Sequence, residues 1–473
     1  MRILLTGATG YIGGRLVPTL LEDGHLVKIL VRDQSRLPNE PWVKAVEIIE
    51  GDVDSLDSTP TPDSLSGIDA AFYLIHSMKE SSMAFENKEL ATARSFGRVA
   101  QKAGFQRIIY LGALGDPKED LSTHLRSRHE TGTTLADSGV PVIELRAGPV
   151  VGAGSLPFEM IRYLVERIPV MICPKWVYTK AQPISFSNVI SYLKASLLVD
   201  VQGHKIIEIG GSDQLSYGDM MLGYARARGL KRKMIRVPVL TPRLSSYWVD
   251  WVTPIRSNHA RPIVEGLRNE VIVRDSSARA IFPEITPMSY SASITEALEY
   301  LDPSYVIQSN PRPSSDSLVT SRKNIQGMIV ENRRVRSKQT QEQLFGSVLK
   351  LGGAQGWYFD RAWKLRAAID RLLGGVGLRR TKTGELPKVG DQLDFWRVAS
   401  LVRNERLLLK AEMKLPGTAW LEFTVESDTN QGSILSQNSY FAPRGVAGIL
   451  YWYALYPIHS WVFNGMAKRL ASS

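Results

Sequence analysis

Gly7, Gly10 and Gly13 stand three residues apart in the stretch Thr6-Gly7-Ala8-Thr9-Gly10-Tyr11-Ile12-Gly13. Glycines at that spacing suit the holding of a pyrophosphate by backbone amides. Gly7 permits a tight turn, Gly10 lets the amides approach phosphate oxygens, and Gly13 lets a following helix pack close. The anion then faces a helix N-terminus, with Thr9, Tyr11 and Ile12 completing the loop around it. The alternative is a glycine-rich structural turn. Further candidates follow the next two apolar runs. Val31-Arg32-Asp33 falls where an acid selects NAD and an arginine accommodates a 2′-phosphate. Arg32, with Arg36 nearby, argues for NADP(H) over NAD(H); Asp33 argues the other way, and Arg32 as an exposed bystander is a third reading. Asp52 and Val53, in Gly51-Asp52-Val53, offer a carboxylate and backbone amides to an adenine.

These residues need elements to hold them. The run Ile3 to Leu5 precedes the glycines and Leu16, Val17, Leu20 and Leu21 follow at helical spacing, a strand–turn–helix order. Strand patterns recur at Arg2–Thr6, Leu26–Val31, Val46–Glu50, Ala70–Ile75, Arg107–Leu111 and Val142–Leu145, with a helix between Phe85 and Ala103. The alternation predicts an α/β Rossmann domain over residues 1–152, a doubly wound parallel sheet covered on both faces.

With 473 residues the chain exceeds one core, and its 44% hydrophobic and 22% charged residues are ordinary for globular domains. The single cysteine, Cys173, excludes an intrachain disulfide and is expected to be buried and inert. A strand at the N-terminus leaves no room for a signal peptide, so cytoplasmic residence is expected, with peripheral contact at the inner membrane as an addition. The net charge of +11 favours anionic partners, yet no zinc-finger spacing, RNP motif or helix-turn-helix accompanies the basic clusters. Nucleic acid is therefore not expected, nor is a metal. The oligomeric state stays open.

TGATGYIG, VRD, GDV and LRAGPVVG occur in the order seen in short-chain dehydrogenases/reductases, and the chain resembles their extended and atypical, NmrA-like branches. The resemblance implies a nicotinamide cofactor and a small substrate subdomain, here residues 153–305. It also exposes departures. Where the family places a catalytic serine the chain reads Leu111-Gly112-Ala113, and the family's Tyr-x-x-x-Lys falls on His124 and Arg128. The family's tyrosine supplies a proton to the substrate oxygen. His124 could replace it, since imidazole titrates near neutral pH. Arg128 could hold a ribose or phosphate but is no acid or base. Positions four apart share one helix face. Both could equally be surface residues of a protein that only binds its cofactor. His76, at the tip of the fourth strand after Leu74, is the second candidate for touching substrate.

In the middle segment, residues 182–186 and 205–211 read as short strands. Ser216 to Arg228 reads as a helix capped by Ser216. Tyr247 to Trp251 with Arg256 could form a pocket wall, though ordinary packing fits as well. Residues 306–325, rich in Ser and Pro, read as a linker. Beyond it the class changes to α+β over residues 326–473. A strand (Gly327 to Val335) is followed by helices at Gln341–Leu351 and Trp357–Leu373. Four alternating strands come next, at Gln392–Ser400, Arg406–Lys414, Ala419–Glu426 and Ser433–Phe441, and a long helix closes the chain at Val446 to Leu470. That order makes a helix-grip, a fold that often leaves a cavity for lipids or aromatic ligands. The segments LFGSVLKLGGAQGWYFDRAWKLRAAIDRLLGGVGLRR, GDQLDFWRV, AEMKLPGTAWLEF and FAPRGVAGILYWYALYPIHSWVFNGMAK resemble a START-like helix-grip family fused to atypical reductases in bacteria. Pro457, His459 and Ser460 interrupt the last apolar run and argue against a membrane span. Glu412, Arg444 and His459 could orient a ligand or serve structural pairing; Trp357, Trp363, Trp396 and Trp420 read as core.

Two functions follow from this reading. One is an NADPH-dependent oxidoreductase acting on a hydrophobic carbonyl or an isoprenoid- or quinone-like substrate, held partly by the helix-grip domain. The other is a non-catalytic NADP(H) scaffold or redox sensor with a lipid-binding domain, assisting a membrane complex.

Overall fold

A computed structural model describes residues 1–38, 40–55, 62–75, 82–237, 254, 264–306, 318–352, 356–359, 363, 367–368, 370–372, 374–375, 386–428 and 432–472. The chain divides into two compact units: Met1–Tyr300 makes up nearly all of the first and Asn310–Ser473 most of the second.

In the first unit, near-continuous apolar runs form parallel strands buried on both faces. They are β1 (Arg2–Thr6), β2 (Leu26–Val31), β3 (Glu47–Glu50), β4 (Ala70–Tyr73), β5 (Ile108–Ala113), β6 (Val142–Ala147) and β7 (His204–Ile209). Their order is β7-β6-β5-β4-β1-β2-β3. The longer helices of the unit are α1 (Gly13–Glu22), α2 (Ser82–Lys102), α3 (Thr123–Ala136), α4 (Leu156–Arg167), α5 (Phe186–Ala195), α6 (Tyr217–Ala227) and α7 (Tyr290–Glu299). Leu16, Val17 and Leu20 of α1 and Val189 and Leu193 of α5 pack on one face of the sheet. Ala93, Phe96 and Val99 of α2 and Leu135 of α3 pack on the other. This is the doubly wound Rossmann arrangement, and the order reverses beside β1, which opens a crevice at the tips of β1 and β4.

One strand falls in a different place from the sequence reading. Residues 205–211 were expected to be a short strand of the substrate subdomain; β7 instead joins the main sheet as its edge, parallel to β6. The helix at Ser216 is capped as expected, with a reciprocal bond between Ser216 and Asp219. A second apolar core gathers Phe158, Ile161, Leu164 and Val165 of α4, Met220 and Tyr224 of α6, and Tyr290 of α7.

The second unit is an antiparallel sheet in the order β8-β9-β14-β13-β12-β11-β10. Its strands are β8 (Val319–Ile325), β9 (Met328–Ser337), β10 (Gln392–Leu393), β11 (Trp396–Val402), β12 (Arg406–Ala411), β13 (Gly417–Ser427) and β14 (Ser433–Pro443). Two helices, α8 (Gln341–Leu349) and the 28-residue α9 (Gly445–Ser472), pack on one face through Leu344, Phe345, Val462, Phe463, Met466 and Leu470. Two expectations change. Residues 319–325, taken as linker, are the edge strand β8. The strand expected at Gln392–Ser400 is split in two where Asp394 adopts φ 56° and accepts a bond from Trp357 Nε1 at 2.7 Å. Much of the helix expected at Trp357–Leu373 lies outside the described residues. No helix among the described residues is long and apolar enough to cross a membrane.

Candidate active site

The glycine loop leaves β1 at its tip. Gly7 has φ 80°, and a Cβ on it would meet the Leu74 carbonyl oxygen at 2.7 Å; only glycine fits both demands. A Cβ on Gly13 would lie 2.3 Å from the Gly7 carbonyl oxygen, so the helix can start this close only without a side chain there. The Gly10 amide closes the turn onto Gly7 O at 2.9 Å. Buried Thr6 ties β1 to β4, donating to Phe72 O at 3.1 Å and accepting from Leu74 N at 3.2 Å. No side chain caps α1, and no acid stands in its first turn. The positive end of its dipole is thus left to an external anion, which is the fit a pyrophosphate requires.

From this loop a cavity of about 500 Å³ runs through the unit. Gly7, Gly10, Tyr11, Ile12, Gly13 and Leu74 border one end, as the sequence suggested. His124 and Arg128 border it too, one turn apart on α3. The N-cap of that helix is Ser122, whose side chain accepts from the Leu125 amide. The rest of the wall was not foreseen. Met160, Ile161 and Leu164 come from one face of α4, Tyr217 and Met221 from α6, and Val264, Leu267 and Val271 from the segment after it. Cys173, buried as expected, is part of this wall, and burial pushes its thiol up from the ordinary value. The apolar spacing of α4 was the one signal that could have found this wall.

The other predicted residues fall elsewhere. Tyr11 turns its ring edge-on to Phe186 at 5.2 Å and lies beneath the Arg15 guanidinium, and its burial pushes the hydroxyl well above the usual range. Its side chain is therefore a packing group, and its backbone is what serves the loop. Thr9 is exposed. Arg32 and Arg36 are exposed and outside the cavity wall. Asp33 accepts from Ser35 N at 2.9 Å and Ser35 Oγ at 2.6 Å, bonds that hold its carboxyl below the usual value. The Val53 side chain, at 4% exposure, packs into the core under α2, which leaves its backbone amide as the group that could serve an adenine. The Asp52 carboxylate accepts from the Asp54 amide at 3.2 Å. His76, Tyr247 to Trp251 and Arg256 lie outside the described residues.

Beside Gly112, near the tip of β5, the chain departs in a connected way from the pattern it resembles. Glu144, fully buried on β6, accepts from Arg146 Nε at 2.6 Å and pairs with His204 Nε2 at 2.8 Å. Burial alone would raise its carboxyl; the His204 and Arg146 bonds outweigh it and hold the group below its ordinary value. A Cβ on Gly132 of α3 would stand 2.1 Å from Glu144 Oε2, and one on Gly112 of β5 would stand 3.1 Å from Oε1. The site of the missing serine is thus crowded by Glu144. Arg128 donates to Leu111 O and stacks over Tyr110 at 4.9 Å, while Tyr110 donates to Arg128 O at 3.0 Å. His129 was missed: its Nε2 lies 3.0 Å from Ala113 O, so that nitrogen carries the proton, and burial followed by nearby Arg146 lowers its pKa. Among the described residues, no group of three or more His, Cys, Asp or Glu is placed to hold a metal ion.

Residues 7–144 match the family described as NAD(P)H-binding. The first unit is thus an NAD(P)H-binding Rossmann domain, similar to short-chain dehydrogenases/reductases. Residues 328–466 match a family described as proteins of unknown function (DUF2867). A 3β-hydroxysteroid dehydrogenase/Δ5→4-isomerase of Mycobacterium tuberculosis is 33% identical over 118 residues, 23% of this chain and 30% of that protein. The chain thus spans about a third of that relative. A ceramide reductase of Caulobacter vibrioides is 26% identical over 242 residues, 50% of this chain and 73% of that protein. The solved UDP-glucose 4-epimerase of Thermotoga maritima, with a TM-score of 0.50 at 14% identity, covers 64% of this chain and 98% of its own, a likeness of fold.

Proposed function

We propose that the protein is an NAD(P)H-dependent oxidoreductase that interconverts a carbonyl and an alcohol on a lipid-like substrate of isoprenoid, quinone-like or long-chain type. One observation carries the reading. The cavity that begins at Gly7, Gly10 and Ile12 passes His124 and ends among Met160, Ile161, Leu164, Met221 and Leu267 without a charged group in that far wall. Such a wall takes apolar surface out of water at about 25 cal/mol per Å² and suits an apolar substrate better than a sugar. A bound nicotinamide supplies or accepts the hydride. His124 gives the substrate oxygen its proton or takes it away, and Arg128 orients the groups beside it. The relatives named for a hydroxysteroid and a ceramide support the same substrate class.

NADP(H) is the preferred cofactor in this proposal, because Arg32 and Arg36 are exposed beside the tip of β2 while Asp33 is engaged by Ser35. The second unit, as a START-like helix-grip, holds the apolar ligand, and the protein works from the cytoplasm at the inner membrane. A second reading, a non-catalytic NADP(H) scaffold or redox sensor with a lipid-binding domain, draws on the Arg128 bond to Leu111 O and on glycine in place of serine.

Titration of the purified protein with NADPH and NADH, then turnover with lipophilic ketones, tests both. The expected result is tighter NADPH binding, with kcat falling by about 10²–10⁴ in His124→Ala at unchanged cofactor affinity. Cofactor binding without turnover on any such ketone would favour the scaffold.

A further inference from the structure

Helix α9 is apolar on nearly every side; one side is buried, and the opposite side is largely exposed, with Trp461 meeting the Phe359 ring at 4.3 Å. Trp452, Val462, Phe463, Met466 and Leu470 are buried against the sheet. The opposite side carries Leu450, Ala454, Pro457, Ile458 and Trp461, at the i, i+4, i+7, i+8 and i+11 positions of one stripe. Leu450 is 64% exposed, Ile458 55% and Trp461 61%, with Tyr453 at 51% on the flank. A helix that is apolar all round belongs in a core or against lipid, and isolated exposed leucines are ordinary where a continuous stripe is not.

Charge identifies what covers the stripe. Residues 445–472 contain no Asp or Glu, and the same side continues into exposed Lys468 and Arg469. Arg322 of β8 stacks over Tyr456 at 5.0 Å and reaches the Tyr453 ring at 5.8 Å, adding a cation beside the aromatic flank. A second copy of this chain docking by the same face would bring these cations no acidic counterpart, since residues 445–472 hold no Asp or Glu. An anionic lipid surface instead satisfies them, while the tryptophan and tyrosine rings suit the headgroup boundary.

We propose that the N-terminal half of α9 is a membrane-docking surface: it lies in the plane of an anionic bilayer and inserts Leu450, Ile458 and Trp461 among the acyl chains. Amphipathic stripes bind in this manner, without spanning, through apolar area plus attraction to acidic headgroups. The proposal stands on the surface of the second unit and is independent of whether the first unit turns over a substrate.

The full-length protein is sedimented with vesicles of phosphatidylcholine alone or with one-third phosphatidylglycerol, and NADPH binding is measured on the same samples. The expected result is binding to the phosphatidylglycerol vesicles that weakens as salt rises. Lys468→Ala should lower it by about fivefold, the effect of one cation near an acidic surface. The double variant Leu450→Glu/Trp461→Glu should abolish vesicle binding while both NADPH affinity and the denaturant-unfolding transition of the second unit stay unchanged, which shows that both units are folded. Failure of the wild type to bind phosphatidylglycerol vesicles would overturn the proposal, as would vesicle binding by the double variant equal to wild type. A dimer in sedimentation equilibrium that the double variant dissociates would assign the stripe to a second copy and overturn it equally.

Discussion

Both units bury charged clusters, Glu144 with Arg146 and His204 in the first, and the first in addition presents backbone polar groups at its strand tips to a cavity. In the first, the groups that face a ligand are backbone amides and carbonyls at strand tips, and the side chains around them are chiefly apolar. In the second, charged side chains stand in mid-strand and partner one another. Arg333, fully buried on β9, donates to Glu331 at 2.8 Å, Asn464 of α9 at 2.8 Å and Ser439 at 3.3 Å. On the other face of the sheet, Glu422 accepts from Asn438 at 2.8 Å, Tyr440 at 2.6 Å and Arg406 at 2.6 Å. The lesson is that a cluster of buried polar side chains need not mark a site. A parallel sheet brings its chemistry to the edge where loops meet, whereas this antiparallel sheet spends its polar side chains on holding strands and helix together.

Arg333→Ala should have the largest effect. It strands Glu331 without its cation inside the second unit and should lower stability by about 3–5 kcal/mol in denaturant unfolding, leaving NADPH affinity unchanged. A loss of NADPH affinity in this variant would break the contrast between the units. Gly13→Val does the reverse. Its added atoms collide with Gly7 O, and NADPH binding by fluorescence titration should weaken roughly a hundredfold, about 3 kcal/mol. Undiminished affinity would remove the loop from the cofactor site. The smallest effect concerns pH. His129 is held neutral in the fold, with its pKa lowered by burial and by Arg146, so the unfolded chain takes up the proton first. Its contribution is present above about pH 6.5 and is lost as pH falls below it. The melting temperature of His129→Gln, which keeps a donor for Ala113 O, should therefore drop less than the wild type's between pH 7.5 and 5.5. An equal drop would exclude His129 as a cause.

Much of the first unit was legible because Ile3 to Leu5, the three glycines and Leu16 to Leu21 are local signals with a known geometry. The place of β7 was not, since alternation in Lys205 to Ile209 says strand without saying which sheet. Strand β8 was missed for a related reason: Val319-Thr320-Ser321-Arg322-Lys323-Asn324 is an exposed edge, with no apolar face to show in its pattern. The cradle could be read from sequence, while the cavity wall is a tertiary product of α4, α6 and residues 264–271. Arg32 and Asp33 were visible as a pair, but the turn that engages Asp33 with Ser35 emerged only in three dimensions.

Glu144, Gly132 and Gly112 form a steric lock. A glutamate at 144 requires glycine at 132, crowds position 112, and is itself held by Arg146 and His204. A serine placed at position 112 by one substitution would stand against an anchored carboxylate. A hydroxyl at the tip of β5 would therefore require change at Glu144 and its partners together, a constraint set by packing.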